Sequence, residues 1–343
     1  MGATTVLGIE SSCDETSASV VADGKEILSN VVSSQISQHK PFGGVVPELA
    51  SRKHLEAIIP VIEEALDTAG AGLGDIDAVA VTQGPGLLGC LMIGLTAAKS
   101  LCVALGKPLV AVNHLHAHAA AVTIEREMEL PFVALVVSGG HTSLYLVKTL
   151  TDLEILSTTR DDAAGEAFDK AAKALGLGYP GGAEIDRLAK SGDPDKIAFP
   201  RPLSESGTLW FSFSGLKTSL VYSIQKNGSP SAAALPDVCA GYQEAIVDSL
   251  IEKSLLAVKK TGVKNFAITG GVACNSRLRE KSARAFEKEN IKLAIPSVSL
   301  CTDNGAMIAA LGFHLLKDGQ TAAADISAFS TSRMKIKRGS AEF

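Results

Sequence analysis

Val6-Leu7-Gly8-Ile9-Glu10-Ser11-Ser12-Cys13-Asp14-Glu15-Thr16 and Phe132-Val133-Ala134-Leu135-Val136-Val137-Ser138-Gly139-Gly140-His141-Thr142-Ser143 are two versions of one design. In each, an apolar strand breaks into a short polar loop. The first copy resumes at Ala18 to Val21, turns at Asp23-Gly24 and offers a third short run at Ile27 and Leu28. The second resumes at Leu144 to Val147, turns near Thr151-Asp152 and offers Leu153 to Leu156. The order strand, loop, strand, turn, strand thus occurs twice, roughly 125 residues apart. Small polar loops present backbone N–H groups, so each can cradle a phosphate. Two such starts facing one another predict a nucleotide held in a cleft between two related domains.

At 343 residues the chain suits two domains rather than one core. Its 46% apolar and 20% charged residues exclude a disordered chain. The 32 glycines with only 5% aromatics point to tight turns and an aliphatic α/β core. No N-terminal signal pattern is present, and residues 87–105, interrupted by Lys99, read as a buried helix and not a membrane span. Cysteines 13, 90, 102, 239, 274 and 301 are scattered without a C-x-x-C pair, as expected of free thiols in a cytoplasmic protein. A net charge of −5 gives no global footprint for nucleic acid. Two basic clusters, Arg277/Arg279/Lys281/Arg284 and Arg333/Lys335/Lys337/Arg338, read as solvated faces.

Periodicity predicts a helix over residues 47–69, a strand over 78–82, a helix up to 105, a strand over 109–112 and a helix opening near Asn113. The second half gives a helix over 162–175, a loose stretch over 191–214, a helix over 232–260 and a strand over 265–269. An Arg-bearing helix follows, then a strand over 294–296 and a last helix from Asp303-Asn304-Gly305 to Lys317. Alternating strands and helices predict an α/β fold. The expected division is 1–130 and 131–343, with a shared interface and a final helix free to pack back on the first domain.

The sharpest chemical signal is Asn113-His114-Leu115-His116-Ala117-His118. On a helix His114 and His118 are i and i+4 and share a face, as a divalent metal requires, whereas His116 points away. A carboxylate would complete the set, Asp303 being one candidate among many, and two His with one carboxylate suit Fe(II) or Zn(II). The peptidase motif H-E-x-x-H is not matched, because Leu115 stands where its glutamate base would be. Gly84-Pro85-Gly86-Leu87-Leu88-Gly89 has the dinucleotide spacing but no acidic residue before Glu125, so it reads as a tight turn. No Walker A sequence occurs. Ser138-Gly139-Gly140 and Thr269-Gly270-Gly271 are strand-to-glycine loops suited to close ligand approach. Asn275 can read a ligand or cap its own helix. Glu166, Asp169 and Lys170 share a helix face, for ribose or for a salt bridge, and Tyr179-Pro180-Gly181-Gly182 makes a further turn.

The ordered blocks resemble the tRNA N6-adenosine threonylcarbamoyltransferase (TsaD) family over essentially the whole chain. They run from Gly8-Ile9-Glu10-Ser11-Ser12-Cys13-Asp14-Glu15-Thr16 through Val46-Pro47-Glu48-Leu49-Ala50-Ser51-Arg52-Lys53-His54, which is of the bacterial type. Ala164-Gly165-Glu166-Ala167-Phe168-Asp169-Lys170, Phe211-Ser212-Phe213-Ser214-Gly215-Leu216-Lys217 and Cys301-Thr302-Asp303-Asn304-Gly305 continue them. His116 departs from the acidic residue common in bacterial members.

The resemblance implies a duplicated fold of the actin, sugar kinase and Hsp70 ATPase superfamily. It implies a metal, iron or zinc, on His114, His118 and Asp303. It implies the adenylate substrate on Val136, Val137, Ser138, Gly139, Gly140, Asp169, Gly182, Asp186 and Asn275. The implied reaction moves a threonylcarbamoyl group from threonylcarbamoyl-AMP to N6 of adenosine 37, in tRNAs reading ANN codons, with Asp14 as proton acceptor or amine positioner. The implied partners are tRNA, an inactive paralogue (TsaB) and a small ATPase (TsaE); the apolar helix over residues 87–105 is either a docking face or simply buried core. Rival readings are a metal-dependent peptidase, a small-molecule kinase of the same superfamily and a non-catalytic scaffold.

Overall fold

Side-chain alternation in the first strand decides which layers it separates. In the computed structural model, which describes residues 2–204 and 206–331, the elements from the start of the chain are β1 (Thr5–Glu10), β2 (Glu15–Ala22), β3 (Glu26–Ser34), α1 (Ile36–His39) and α2 (Pro47–Ala69). They continue with β4 (Ala78–Gly84), α3 (Leu88–Leu105), β5 (Leu109–Asn113) and α4 (His114–Glu125). Next come β6 (Phe132–Val137), β7 (Thr142–Thr149), β8 (Asp152–Thr158), α5 (Ala164–Leu175), α6 (Gly181–Ala189), α7 (Ser214–Asn227) and α8 (Leu235–Thr261). The chain closes with β9 (Asn265–Thr269), α9 (Ser276–Lys288), β10 (Lys292–Ala294), α10 (Val298–Cys301) and α11 (Gly305–Lys317).

The strands form two five-stranded sheets, ordered β3-β2-β1-β4-β5 and β8-β7-β6-β9-β10. These are the same order. In both, the first strand pairs antiparallel with the second and parallel with the fourth. The duplication read from two loops therefore extends to whole sheets.

The first unit comprises residues 2–128, 149–153 and 296–331. Leu7, Ile9, Val79 and Val81 turn to one face, against Ile58, Ile62, Leu95 and Ala98 of α2 and α3. Val6, Ala78 and Ala80 turn to the other, against α4 and α11. Burying each larger aliphatic side chain contributes about 1.5–3 kcal/mol. The first segment of this unit ends at residue 128, and residues 296–331 return to it, α11 packing on β1, β2, β4 and α4.

The second unit comprises Glu129–Lys148 and Glu154–Ile295. Here α5, α6 and α8 pack together, the Tyr242 hydroxyl donates to the Ala167 carbonyl, and the rings of Phe266 and Phe286 meet at 4.8 Å.

Helix α3 differs from its sequence reading. By length and composition it could cross a membrane, yet one face packs on α2 and β4 while Leu88, Met92 and Val103 stay 49%, 55% and 76% exposed. Its outer face is apolar as well, so composition concealed that only a third of the helix is buried. The strand expected at 294–296 lies at Lys292–Ala294, where pairing Lys292 with Asn265 fixes its register beside β9. All six cysteines are free. Three basic residues of α9 are paired with carboxylates: Arg277 and Lys281 bind Glu244, Lys281 also binds Asp248, and Arg284 binds Glu280, while Arg279 donates to the Ala273 carbonyl. The second basic cluster, Arg333/Lys335/Lys337/Arg338, lies outside the described residues.

Candidate functional site

In the first unit, three adjacent parallel strands, β1, β4 and β5, end side by side. Chemistry-bearing residues collect at those ends, the usual place for a site in an open α/β sheet. Strand β5 stops at Asn113, whose side-chain oxygen accepts from the backbone N–H groups of Leu115 and His116 and caps α4. The first turn of that helix presents His114 and its second presents His118, rings edge to face at 4.7 Å.

Asp303 reaches them through a backbone contact. Gly8 of β1 and Gly305 of α11 lie so close that a Cβ on Gly8 would stand 2.3 Å from the Gly305 carbonyl oxygen. The Gly305 N–H donates to Ser17 Oγ, and Asn304 caps the helix through the Met307 N–H. Held this way, Asp303 Oδ1 lies 3.0 Å from His118 Nε2 and 3.6 Å from His114 Nε2. The three potential ligand atoms lie within 4.8 Å of one another. Two imidazole Nε2 atoms and one carboxylate oxygen converging on one point fit a divalent metal. His118 faces the site through Nε2, 3.0 Å from Asp303 Oδ1, and its Nδ1 is buried without a hydrogen-bond partner.

The first loop behaves differently from the cradle its outline predicts. Glu10 is fully buried, and its carboxylate already accepts the Ser12 N–H, the Thr82 hydroxyl at 2.6 Å and His114 Nδ1 at 3.0 Å. Burial opposes an imidazolium at His114, but the charges of Glu10 and then Asp303 push it up to about 9. Burial, then the charges of Asp14 and Asp303, push Glu15 up to about 9 as well. Asp14 is buried beside it in the same loop. An acidic loop whose Ser12 N–H is already taken by Glu10 suits a cation better than a phosphate. Sequence reasoning missed Glu10, Glu15 and Thr82. The signal was present in Glu10-Ser11-Ser12-Cys13-Asp14-Glu15, too acidic a loop for an anion. His116 stands outside the ligand set, and burial pushes it down to about 4.

In the second unit β6 and β9 end side by side, Val136 opposite Thr269. Buried Val136 and Val137 lead into Ser138, whose N–H and carbonyl bond His141 and Gly165. A Cβ on Gly139 or Gly140 would meet nothing within 4 Å, so these glycines leave open space over their backbone. Gly270, at φ +93°, lies against the Val137 carbonyl and brings the two loops together.

Asp169 accepts the Gly181 N–H at 2.7 Å, so the turn expected at 179–182 is the start of α6, with Gly182 in its first turn. Asp186 on α6 accepts from the Ser276 N–H and hydroxyl. Asn275 caps α9 through the Leu278 N–H and donates to Gln243, which is the capping reading realised. Lys170 bridges Asp162 and Glu166, the salt bridge that was the alternative to ribose. Gly86 packs on Ser12, where a Cβ would stand 2.6 Å from its carbonyl oxygen. The Gly84–Gly89 segment is thus a close-packing turn.

A family model described as tRNA N6-adenosine threonylcarbamoyltransferase (TsaD) matches residues 26–310. The chain belongs to this family. Proteins of that name from Geotalea uraniireducens and Syntrophus aciditrophicus are 56% and 57% identical to it over 94% and 95% of the chain, and over 94% and 96% of their own lengths. Their activity, tRNA N6-adenosine threonylcarbamoyl transfer, is that of this chain. Solved structures show the fold alone. HypF in its phosphate- and nucleotide-bound form aligns at a TM-score of 0.65 and 14% identity, over 93% of this chain and 47% of HypF. The Thermus thermophilus ROK hexokinase aligns at 0.51 and 18%, over 92% of this chain and 100% of its own. Both align along nearly the whole of this chain, whose fold is a duplicated α/β fold with two sheets of one order.

Proposed function

We propose that this transferase moves the threonylcarbamoyl group of threonylcarbamoyl-AMP to N6 of adenosine 37 in tRNAs reading ANN codons, releasing AMP. The observation that carries this reading is the convergence of His114, His118 and Asp303 in a chain of this family. The second unit supplies the adenylate site: Val136 to Gly140 and the α6 region, with Asp169, Gly182, Asp186 and Asn275 fixing the backbone around it. Open space over Gly139 and Gly140 supports this, since free backbone there can follow a phosphate closely.

His114, His118 and Asp303 would hold one divalent metal, Fe(II) first and Zn(II) second. When bound, that ion supplies Lewis acidity toward a carbonyl oxygen and a template for the threonyl portion. The exocyclic amine forms the new C–N bond, the carbamoyl carbon–oxygen bond to AMP breaks, and the amine loses a proton. We assign that proton to Asp14. Glu15, held protonated near neutrality, is a poor acceptor.

Cytoplasmic action and three partners, tRNA, the paralogue TsaB and the ATPase TsaE, complete the proposal. The exposed side chains of Leu88, Met92 and Val103 on α3 are our choice of docking face. The test combines the chain with partner proteins, threonylcarbamoyl-AMP and unmodified tRNA, followed by mass spectrometry of the digested tRNA. Threonylcarbamoyladenosine from wild type but not from His114→Ala/His118→Ala is expected. Its absence with active partners and metal-loaded protein would refute the proposal.

A further inference from the structure

Strand alternation places Glu10 where an ordinary core residue would sit. Val6, Gly8 and Glu10 share the face of β1 that meets α4 and α11, as Ala78, Ala80 and Thr82 do on β4. A carboxylate on that face, with no exposure to solvent, is costly unless every lone pair has a use. Each oxygen has one. Oε1 takes the Ser12 N–H, and Oε2 takes the Thr82 hydroxyl and His114 Nδ1. Ser12 is itself pinned, its carbonyl accepting the Leu87 N–H at 2.8 Å. The two histidines differ here. His118 Nδ1 has no partner, whereas His114 Nδ1 is held by a buried carboxylate.

We propose that Glu10 is the positioning residue of the metal site. By accepting the Nδ1 proton of His114 it commits Nε2, the atom 3.6 Å from Asp303 Oδ1, to the metal. The inference rests on His114, His118 and Asp303 being the metal ligands. Thr82 and the Ser12 N–H orient Glu10 in turn, so three strand ends of the first unit fix one imidazole. Glutamine cannot replace it. The side-chain amide of Glu10→Gln has one oxygen, and either the Ser12 N–H or the Thr82 and His114 side must then face its NH2. Where the amide NH2 meets His114, Nδ1 becomes the acceptor and Nε2 keeps the proton, which blocks metal binding.

The experiment uses the full chain, loaded with Zn(II) by competition against a chromophoric chelator, and 15N-histidine NMR of the same samples. Glu10→Gln is expected to lower Zn(II) affinity about 10–100-fold. Thr82→Val should lower it less, with thermal melting and far-UV circular dichroism recorded for both. Wild type loaded with Zn(II) should show His114 protonated at Nδ1 and bound through Nε2. That readout needs no variant and is one a purely structural Glu10 would not set. Zn(II) bound to His114 through Nδ1 would overturn the inference. So would affinity in folded Glu10→Gln within about twofold of wild type, while His118→Ala loses the ion. If His118→Ala binds as wild type does, the metal reading itself falls and this inference falls with it.

Discussion

A methyl group at Gly8 should disable the candidate metal centre without touching any ligand. The Cβ of Gly8→Ala would stand 2.3 Å from the Gly305 carbonyl oxygen, 2.5 Å from the Ala309 nitrogen and 2.8 Å from the Ala309 Cβ. Ordinary contact begins near 3.4 Å, so α11 must retreat from β1 by about 1 Å. Two of these obstacles are backbone, and β1 is held by both β2 and β4, so no flexible side chain can absorb the shift. Overpacking of this kind costs about 1–3 kcal/mol. At roughly 2–4 °C per kcal/mol for a large domain, melting should fall by about 2–12 °C. Asp303 precedes α11 and moves with it, and a misplacement of about 1 Å costs on the order of 100-fold in rate. The assay is calorimetric melting of Gly8→Ala beside Zn(II) affinity and tRNA transfer. Gly74→Ala, whose Cβ meets nothing within 4 Å, is the control and should behave as wild type. Wild-type melting together with wild-type Zn(II) affinity in Gly8→Ala would refute the claim that this contact delivers Asp303.

Gly139→Ala should leave melting unchanged to within about 0.5 kcal/mol yet weaken adenylate binding at least about tenfold, by calorimetry. Gly165→Ala, whose Cβ would stand 2.6 Å from the Ser138 carbonyl oxygen, should instead destabilise the fold by about 1–3 kcal/mol, read by denaturant unfolding. Asp161 accepts from Ser212 Oγ and from the Phe213 N–H and the N–H and hydroxyl of Ser214, so Asp161→Ala should cost about 1–2 kcal/mol and speed amide exchange in the first turn of α7. Glu244 is held at about 2 from an ordinary 4.5, burial being outweighed by Arg277 and Lys281. Its contribution is present above 4.5 and lost as pH falls from there toward 2. Glu244→Gln should therefore cost about 1–2 kcal/mol at neutral pH, after allowance for solvent screening, and the difference should vanish in melts below about pH 2.

What the sequence disclosed depended on whether a signal was local. Helix α2 was legible to the residue, because Pro47 opens it, apolar residues recur with the helical period and Gly70 closes it at φ +63°. The His114/His118 pair was legible for the same reason. Helices α6 and α7 were not, since their N-termini are bound by carboxylates remote in sequence, Asp169 and Asp161, while Gly181-Gly182 reads locally as a turn and residues 191–214 as a loose stretch. Asp303 was one carboxylate among many until the family resemblance singled it out. Its approach depends on Gly8 and Gly305, two glycines from opposite ends of the chain. Glu10 was read only as part of a loop, because its partners Thr82 and His114 come from two other strand ends.

The divergence of the two loops follows from charge. Both leave the first strand of identically ordered sheets, and both are approached by a glycine just beyond the neighbouring parallel strand, Gly86 against Ser12 and Gly270, at φ +93°, against Val137. Residues 10–15 carry Glu10, Asp14 and Glu15, and one of these carboxylates consumes the loop's own Ser12 N–H. Residues 138–142 carry no carboxylate and leave glycine backbone facing open space. A cation is stabilised by the first arrangement and an anion by the second. One ancestral strand-loop-strand design can thus hold opposite charges in its two copies, and only the side chains within a few residues of the strand end decide which.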